Sequence, residues 1–233
     1  AIDQRGIGGS DKTPDSADGM LLTQDLAAIV RSLGTSRAVV IGQGRGGFLA
    51  WSVAALEPDV VEGIMTVSAP HPRTLQRLGT HLTLKTWRQV LKTLIPHYAA
   101  KRLTDEEVLK RLLTDWSAPG NAGASGEAAN YTAALRLPEA ASISLEQLRW
   151  SYLSTSKING REHMALTRRF VNATVWAVRG ERDPLLPARA WRKDLEFARG
   201  NYRFIEVPDA GHFVQEEQPS RVTDIVLEFL AQV

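Results

Sequence analysis

One stretch constrains the fold more than any other: Val39-Val40-Ile41-Gly42-Gln43-Gly44-Arg45-Gly46-Gly47. A β-branched run enters a turn of small residues, leaves it as a helical stretch to Leu56, and is followed by a second apolar run from Val60 to Val67. Strand, helix and strand in that order predict a parallel sheet and an α/β domain. The alternation returns late in the chain, with strands at Thr174 to Val178 and Tyr202 to Val207, a helix near Arg189 to Ala198 between them, and a last helix from Pro219 to Ala231. Between about Arg73 and Arg169 the pattern is almost wholly helical. Thr104 and Glu107 there form a capping box, and Pro119 to Gly126 reads as a flexible loop. The expected organisation is an α/β core, residues 1–72 and 170–233, interrupted by a helical insertion, residues 73–169.

The small-residue turn has two readings. It has the form of a nucleophile elbow, where small residues flank the nucleophile because strand and helix approach closely. In that register position 44 should be Ser, Asp or Cys, and it is Gly. Gly42, Gly44 and Gly47 also satisfy the G-x-G-x-x-G pattern of a dinucleotide-binding turn. That reading asks for an acid at the end of the next strand; Glu62 is at the right distance but precedes the strand, which ends in Ser68-Ala69-Pro70.

Two further features fall at predicted strand ends. Val178-Arg179-Gly180-Glu181-Arg182-Asp183-Pro184 puts an Asp in a Pro-bounded turn, and Asp209-Ala210-Gly211-His212-Phe213 puts a His in the loop after the last strand. Alone, Asp183 is a turn residue and His212 a solvated loop histidine. Together they suit an acid that orients an imidazole, and elbow, acid and histidine follow in the chain order of a known hydrolase triad. Ser10 and Ser68 lie on loops at the same sheet edge, and nothing in the sequence brings either to His212.

Composition excludes several classes. The chain of 233 residues is 43% hydrophobic, enough for a core, and its apolar runs are strand-sized. It contains no cysteine, which removes disulfides and thiolate chemistry. A net charge of +2 with dispersed basic residues gives no nucleic-acid stripe. His71, His81, His97 and His163 lack metal-ligand spacing, so neither metal nor cofactor is expected. The opening at Ala1 carries no charged-then-apolar leader, and a cytoplasmic location is the default expectation.

The segments DQRGIGGSDK, VVIGQGRGG, RGERDPLLP and DAGHFVQEEQPSRV resemble the α/β-hydrolase superfamily, and within it the epoxide hydrolases and related dehalogenase-like hydrolases. The resemblance implies an α/β-hydrolase fold, a mostly parallel sheet flanked by helices, with the insertion as a helical cap over the site. It implies that Asp183 is the triad acid, His212 the general base, and the backbone N–H of Arg45 an oxyanion donor. The family's nucleophile falls on Gly44 and the His usually preceding it on Gln43. Asn130-Tyr131-Thr132 matches the family's Asn-aromatic-Tyr motif with Thr132 at the substrate-activating tyrosine, so Tyr131, Tyr152 and Tyr98 are possible substitutes. The first strands, with the His-Gly-x-Pro loop that supplies the other oxyanion donor, are absent, which leaves the Val39 to Ile41 strand as an unpaired edge.

Three mechanisms stay open for a small-molecule substrate or ligand: a hydrolase with a displaced nucleophile, a non-covalent enzyme using Asp183 and His212 as a general base, and a ligand-binding protein without catalysis. Trp87, Trp116, Leu135 and Trp150 read by helical spacing as core rather than pocket lining.

Overall fold

The structure is a computed structural model describing residues 1–76 and 96–233, with side chains except at positions 75, 76, 96–98 and 152. Trp87 and His81, and the side chains of His97, Tyr98 and Tyr152, lie outside the described residues. The chain runs α1 (Gly19–Ser32), β1 (Ala38–Gln43), α2 (Arg45–Leu56), β2 (Val61–Val67), α3 (Pro72–Gln76), α4 (Pro96–Leu103), α5 (Glu106–Trp116), α6 (Gly123–Gly126), α7 (Ala128–Leu135), α8 (Ala140–Leu153), α9 (Ile158–Leu166), β3 (Thr174–Gly180), β4 (Tyr202–Val207), α10 (Val214–Glu217) and α11 (Pro219–Leu230).

The four strands form one sheet in the order β1-β2-β3-β4, every pair parallel. β2 and β3 are neighbours in the sheet, yet α3 to α9 lie between them in sequence, so the helical stretch enters the sheet domain at a single crossover.

Helices cover both sheet faces, which is why β2 and β3 read as continuous apolar runs rather than alternating ones. On one face Ala27 and Val30 of α1 and Ala50, Trp51 and Ala54 of α2 meet Val61, Ile64 and Val175. On the other, Ile225 and Phe229 of α11 meet Met65, Val67, Trp176 and Val178. Trp51, Trp176, Phe48 and Phe229 are among the largest fully buried side chains. β1 pairs only with β2 among the described residues, and Ile41 is 43% exposed, as expected of an edge.

Three local expectations are corrected. The helix expected near Arg189 to Ala198 is a 3₁₀ segment, Ala188–Glu196. Trp191 and Asp194 are buried at an interval of three, and Phe197, three further on, stacks on His71, a period that suits three residues per turn rather than 3.6. The cap of α5 is Asp105, whose carboxylate accepts the Val108 N–H, and not Thr104, whose hydroxyl donates to Lys101 O and closes α4. Part of the Pro119 to Gly126 segment is the helical turn α6, with Ala124 and Ser125 buried and Gly123 pressed against the Glu216 carbonyl.

Candidate functional site

β1 ends in a backbone conformation that explains its glycines. Gly44 adopts φ 51°, ψ −110° as the N-cap of α2. Its N–H donates to Val67 O at 2.8 Å, continuing the sheet, while its carbonyl accepts from Phe48 N–H at 3.0 Å, starting the helix. A Cβ at Gly42 would lie 2.2 Å from the Gly46 carbonyl carbon, and one at Gly47 2.5 Å from the Ala69 Cβ. Those two positions are glycine because strand, helix and neighbour leave no room. Gly44 differs: a Cβ there meets no atom within 4 Å among the described residues.

The strand ends of β3 and β4 bring the other two candidates together. His212 Nδ1 and Asp183 Oδ2 are 3.0 Å apart. Asp183 Oδ1 accepts from the N–H groups of Leu185 (2.8 Å) and Leu186 (3.1 Å), so the carboxylate is held on one oxygen by backbone and offers the other to the imidazole. The Asp183 side chain is fully buried and that of His212 is 12% exposed. Among the described residues Nε2 of His212 has no hydrogen-bond partner. This geometry requires close backbone contact: a Cβ on Gly180 would sit 2.0 Å from Gly211 O, and one on Gly211 2.5 Å from Ala118 N.

The histidine loop is also joined to the elbow. The Ser68 hydroxyl donates to the His212 carbonyl at 2.8 Å, and Gln43 Nε2 donates to the same oxygen at 3.4 Å. Ser68 therefore touches His212 through its backbone and not its ring, and Ser10 donates to Asp3 O within its own exposed loop. Neither serine is bonded to the imidazole. The loop around Ser10 is pinned through Arg5, which makes a paired contact with Asp25 at 2.6 and 2.7 Å.

Two arginines have roles the sequence did not disclose. Arg179 on β3 donates to Leu186 O at 3.0 Å and to Glu206 at 2.6 Å, clamping the turn that carries Asp183. Arg45, singled out for its backbone N–H at the head of α2, sends its side chain to the insertion: it donates to Gln147 O (2.9 Å) and Ser151 Oγ (2.7 Å) on α8 and to Ala17 O (3.3 Å). Burial pulls this guanidinium down to about 9, partly opposed by Asp18. A partly buried arginine after a glycine turn carries no local sequence signal; only its partners reveal it.

The end of α5 contributes Trp116, whose ring stands edge-on to His212 at 5.7 Å and whose carbonyl accepts the His212 N–H at 2.9 Å. Trp150 is core, packed with Leu22 and Phe48, and Trp116 itself packs partly buried against the same cluster. Tyr131 lies on α7 and is 37% exposed, while the adjacent Thr132 is buried with its hydroxyl unpartnered among the described residues. No described contact joins Tyr131 to His212. Glu62 lies at the N-terminal end of β2, opposite the glycine turn, so the dinucleotide reading has no acid where it needs one. His71 and His163 are core residues: burial is the main cause pulling the first down to about 3 and the second to about 4. Among the described residues no helix is long and apolar enough to cross a membrane.

Comparison with known proteins gives the same architecture. The family model described as alpha/beta hydrolase fold matches residues 1–219. Epoxide hydrolase 3 of Xenopus tropicalis is 29% identical over 243 residues, covering 100% of this chain and 64% of that protein. Epoxide hydrolase 4 of Homo sapiens is 26% identical with the same coverage, so the chain spans 64% of the length of these relatives. The crystal structure of epoxide hydrolase A from Mycobacterium thermoresistibile superposes with a TM-score of 0.75 at 25% identity, covering 98% of this chain and 81% of that one. With a family model matched over nearly its whole length and a parallel sheet carrying an elbow, the chain belongs to the α/β-hydrolase fold family.

Proposed function

We propose that the chain is a hydrolase of the epoxide-hydrolase type, acting on a small organic electrophile by general-base catalysis: His212, oriented by Asp183, deprotonates a water seated in the open space beyond Gly44. The observation that supports this most is the 3.0 Å His212–Asp183 contact beside an elbow whose tip carries no side chain and where an added Cβ meets no atom of the described residues. Glycine has no atom with which to form a covalent intermediate, and neither Ser10 nor Ser68 is bonded to the imidazole. What remains of the machinery suits direct addition of water.

In this reading Asp183 holds the imidazole with its Nδ1–H toward the carboxylate, leaving Nε2 to accept the proton of water. The N–H of Arg45, one of the first N–H groups of α2 and without an intrahelical acceptor, stabilises the developing oxyanion. The described helices between β2 and β3 act as a cap, with Trp116 forming part of the wall beside the base. Removing a nucleophile from a triad costs on the order of a millionfold in kcat, so the expected turnover is slow.

The test compares the full chain with Gly44→Asp, Gly44→Ser and His212→Ala on aryl epoxides and p-nitrophenyl esters. The reading expects slow wild-type hydrolysis that His212→Ala abolishes, and a gain of several orders of magnitude on one substrate class when the nucleophile is supplied. The elbow's φ 51°, ψ −110° costs a non-glycine residue roughly 1–3 kcal/mol, which a stable sheet domain tolerates. Absence of wild-type turnover and of any gain in both Gly44 variants, with the fold retained, would refute it and leave a ligand-binding role.

A further inference from the structure

We propose that Glu217, at the end of α10, is a positioning residue for His212: one buried carboxylate holds the backbone on both sides of the histidine and ties it to the helical insertion. Glu217 is 6% exposed. Its Oε2 accepts the N–H of Gly211 at 2.8 Å, and its Oε1 accepts the N–H of Phe213 at 3.0 Å, so the amides on either side of His212 end on a single side chain. Oε2 also accepts the N–H of Ala118 at 2.7 Å, from the segment just after α5. The side chain of Asn121, in the same segment, donates to the Glu217 carbonyl at 3.1 Å.

These bonds complete a closed set around the histidine. The His212 N–H is taken by Trp116 O, and the His212 carbonyl by Ser68 and Gln43. The Gly211 and Ala118 backbones lie too close together for any side chain on Gly211, and the carboxylate bridges them. Three N–H donors converge on two oxygens, and a carboxylate offers acceptor lone pairs on both. A glutamine there has one acceptor oxygen and one NH₂ group. Whichever way it is turned, at least one backbone N–H faces another donor. The same carboxylate makes the insertion a support for the imidazole, since displacement of the Trp116–Ala118 segment pulls on both Oε2 and the His212 amide.

The inference rests on His212 being the working base, and its readout is the imidazole's own proton, so it fails separately from the turnover reading. The full chain is labelled with ¹⁵N-histidine, and the Nδ1–H resonance of His212 is assigned by its loss in His212→Ala. Losing a hydrogen bond to a charged acceptor corresponds to roughly tenfold or more in the loop's opening equilibrium. In Glu217→Gln the Nδ1–H should therefore exchange with water at least about tenfold faster. The amides of Gly211, Phe213 and Ala118 should lose protection alike, while that of Trp176 in β3 does not. Glu217→Asp, which keeps both oxygens one methylene short, should fall between, and the exposed Glu228→Gln should match wild type. Unchanged exchange at His212 in Glu217→Gln, or protection falling equally in the loop and in β3, overturns the proposal. If Glu217→Gln does not fold, Glu217→Asp is read by the same criteria. A wild type without a bonded Nδ1–H refutes the general-base reading, and the three amides still decide the role of Glu217.

Discussion

Replacing His163 with phenylalanine should remove part of the chain's sensitivity to acid. His163 on α9 is fully buried, stacked on Phe48 with ring centroids 5.8 Å apart and edge-on to Trp150 at 4.9 Å. Neither ring nitrogen has a partner among the described residues. Burial, reinforced by the Arg45 cation and partly opposed by Asp18, pulls its pKa from 6.5 to about 4. The native ring therefore stays neutral where the unfolded chain has already bound a proton. Its contribution to stability is present above pH 6.5 and is lost as pH falls from there toward 4, at up to about 1.4 kcal/mol per pH unit. Between pH 7 and pH 4.5 the wild type should lose roughly 2 kcal/mol through this ring alone, a large part of the 5–15 kcal/mol typical of a domain. Phenylalanine keeps the aromatic packing and has no proton to bind. At pH 7 it removes two unpaired nitrogens, worth roughly 1–3 kcal/mol, but adds volume that takes back part of the gain. The pH-dependent part is free of that offset. Glu216, pushed up to about 7 chiefly by burial, contributes with the opposite sign, but it is common to both proteins and cancels in their difference. Urea denaturation of both proteins at pH 7 and 4.5 measures the quantity. Parallel loss of stability by wild type and His163→Phe would refute the account of the buried neutral ring.

Two further outcomes concern the candidate site. Gly180→Ala places a methyl 2.0 Å from Gly211 O, so the chain should lose roughly 1–3 kcal/mol in urea melts, and the histidine loop should move off Asp183, abolishing hydrolysis. Asp183→Asn can keep its carbonyl on the Leu185 and Leu186 amides while turning an NH₂ toward His212; hydrolysis should drop by about 10⁴ from the wrong tautomer, with the melting temperature nearly unchanged. A drop of less than tenfold in turnover would remove the dyad from the mechanism.

The alternation of Val39 to Leu56 and Val60 to Val67 already contained β1, α2 and β2, because a parallel strand buried on both faces leaves a continuous apolar run and its turn glycines leave fixed letters. Asp183 and His212 were legible for a related reason: each follows a strand directly, so parallel pairing carries both to one sheet edge. What stayed hidden depends on tertiary partners. Trp191, Asp194 and Phe197 look like a helix until their three-residue interval meets His71 and the core. Thr104 and Asp105 compete for one cap, and the choice turns on where α4 ends. Trp116 and Trp150 have the same helical spacing signal and pack on one cluster, yet Trp116 alone of the two also stands against His212. Arg45 has no charged neighbour in sequence, and its anchors on α8 are a hundred residues away.

The open volume at Gly44 has a consequence for the history and future of the site. At Gly42 and Gly47 any other residue would collide with backbone or a neighbouring side chain, so those positions resist change. At Gly44 a Cβ meets no atom of the described residues, so among them the obstacle is the torsional preference of the residue itself, and in the genetic code glycine lies one base change from both aspartate and serine. Selection for covalent chemistry could restore a nucleophile in one mutational step without remodelling the surrounding structure, and drift could remove it as easily.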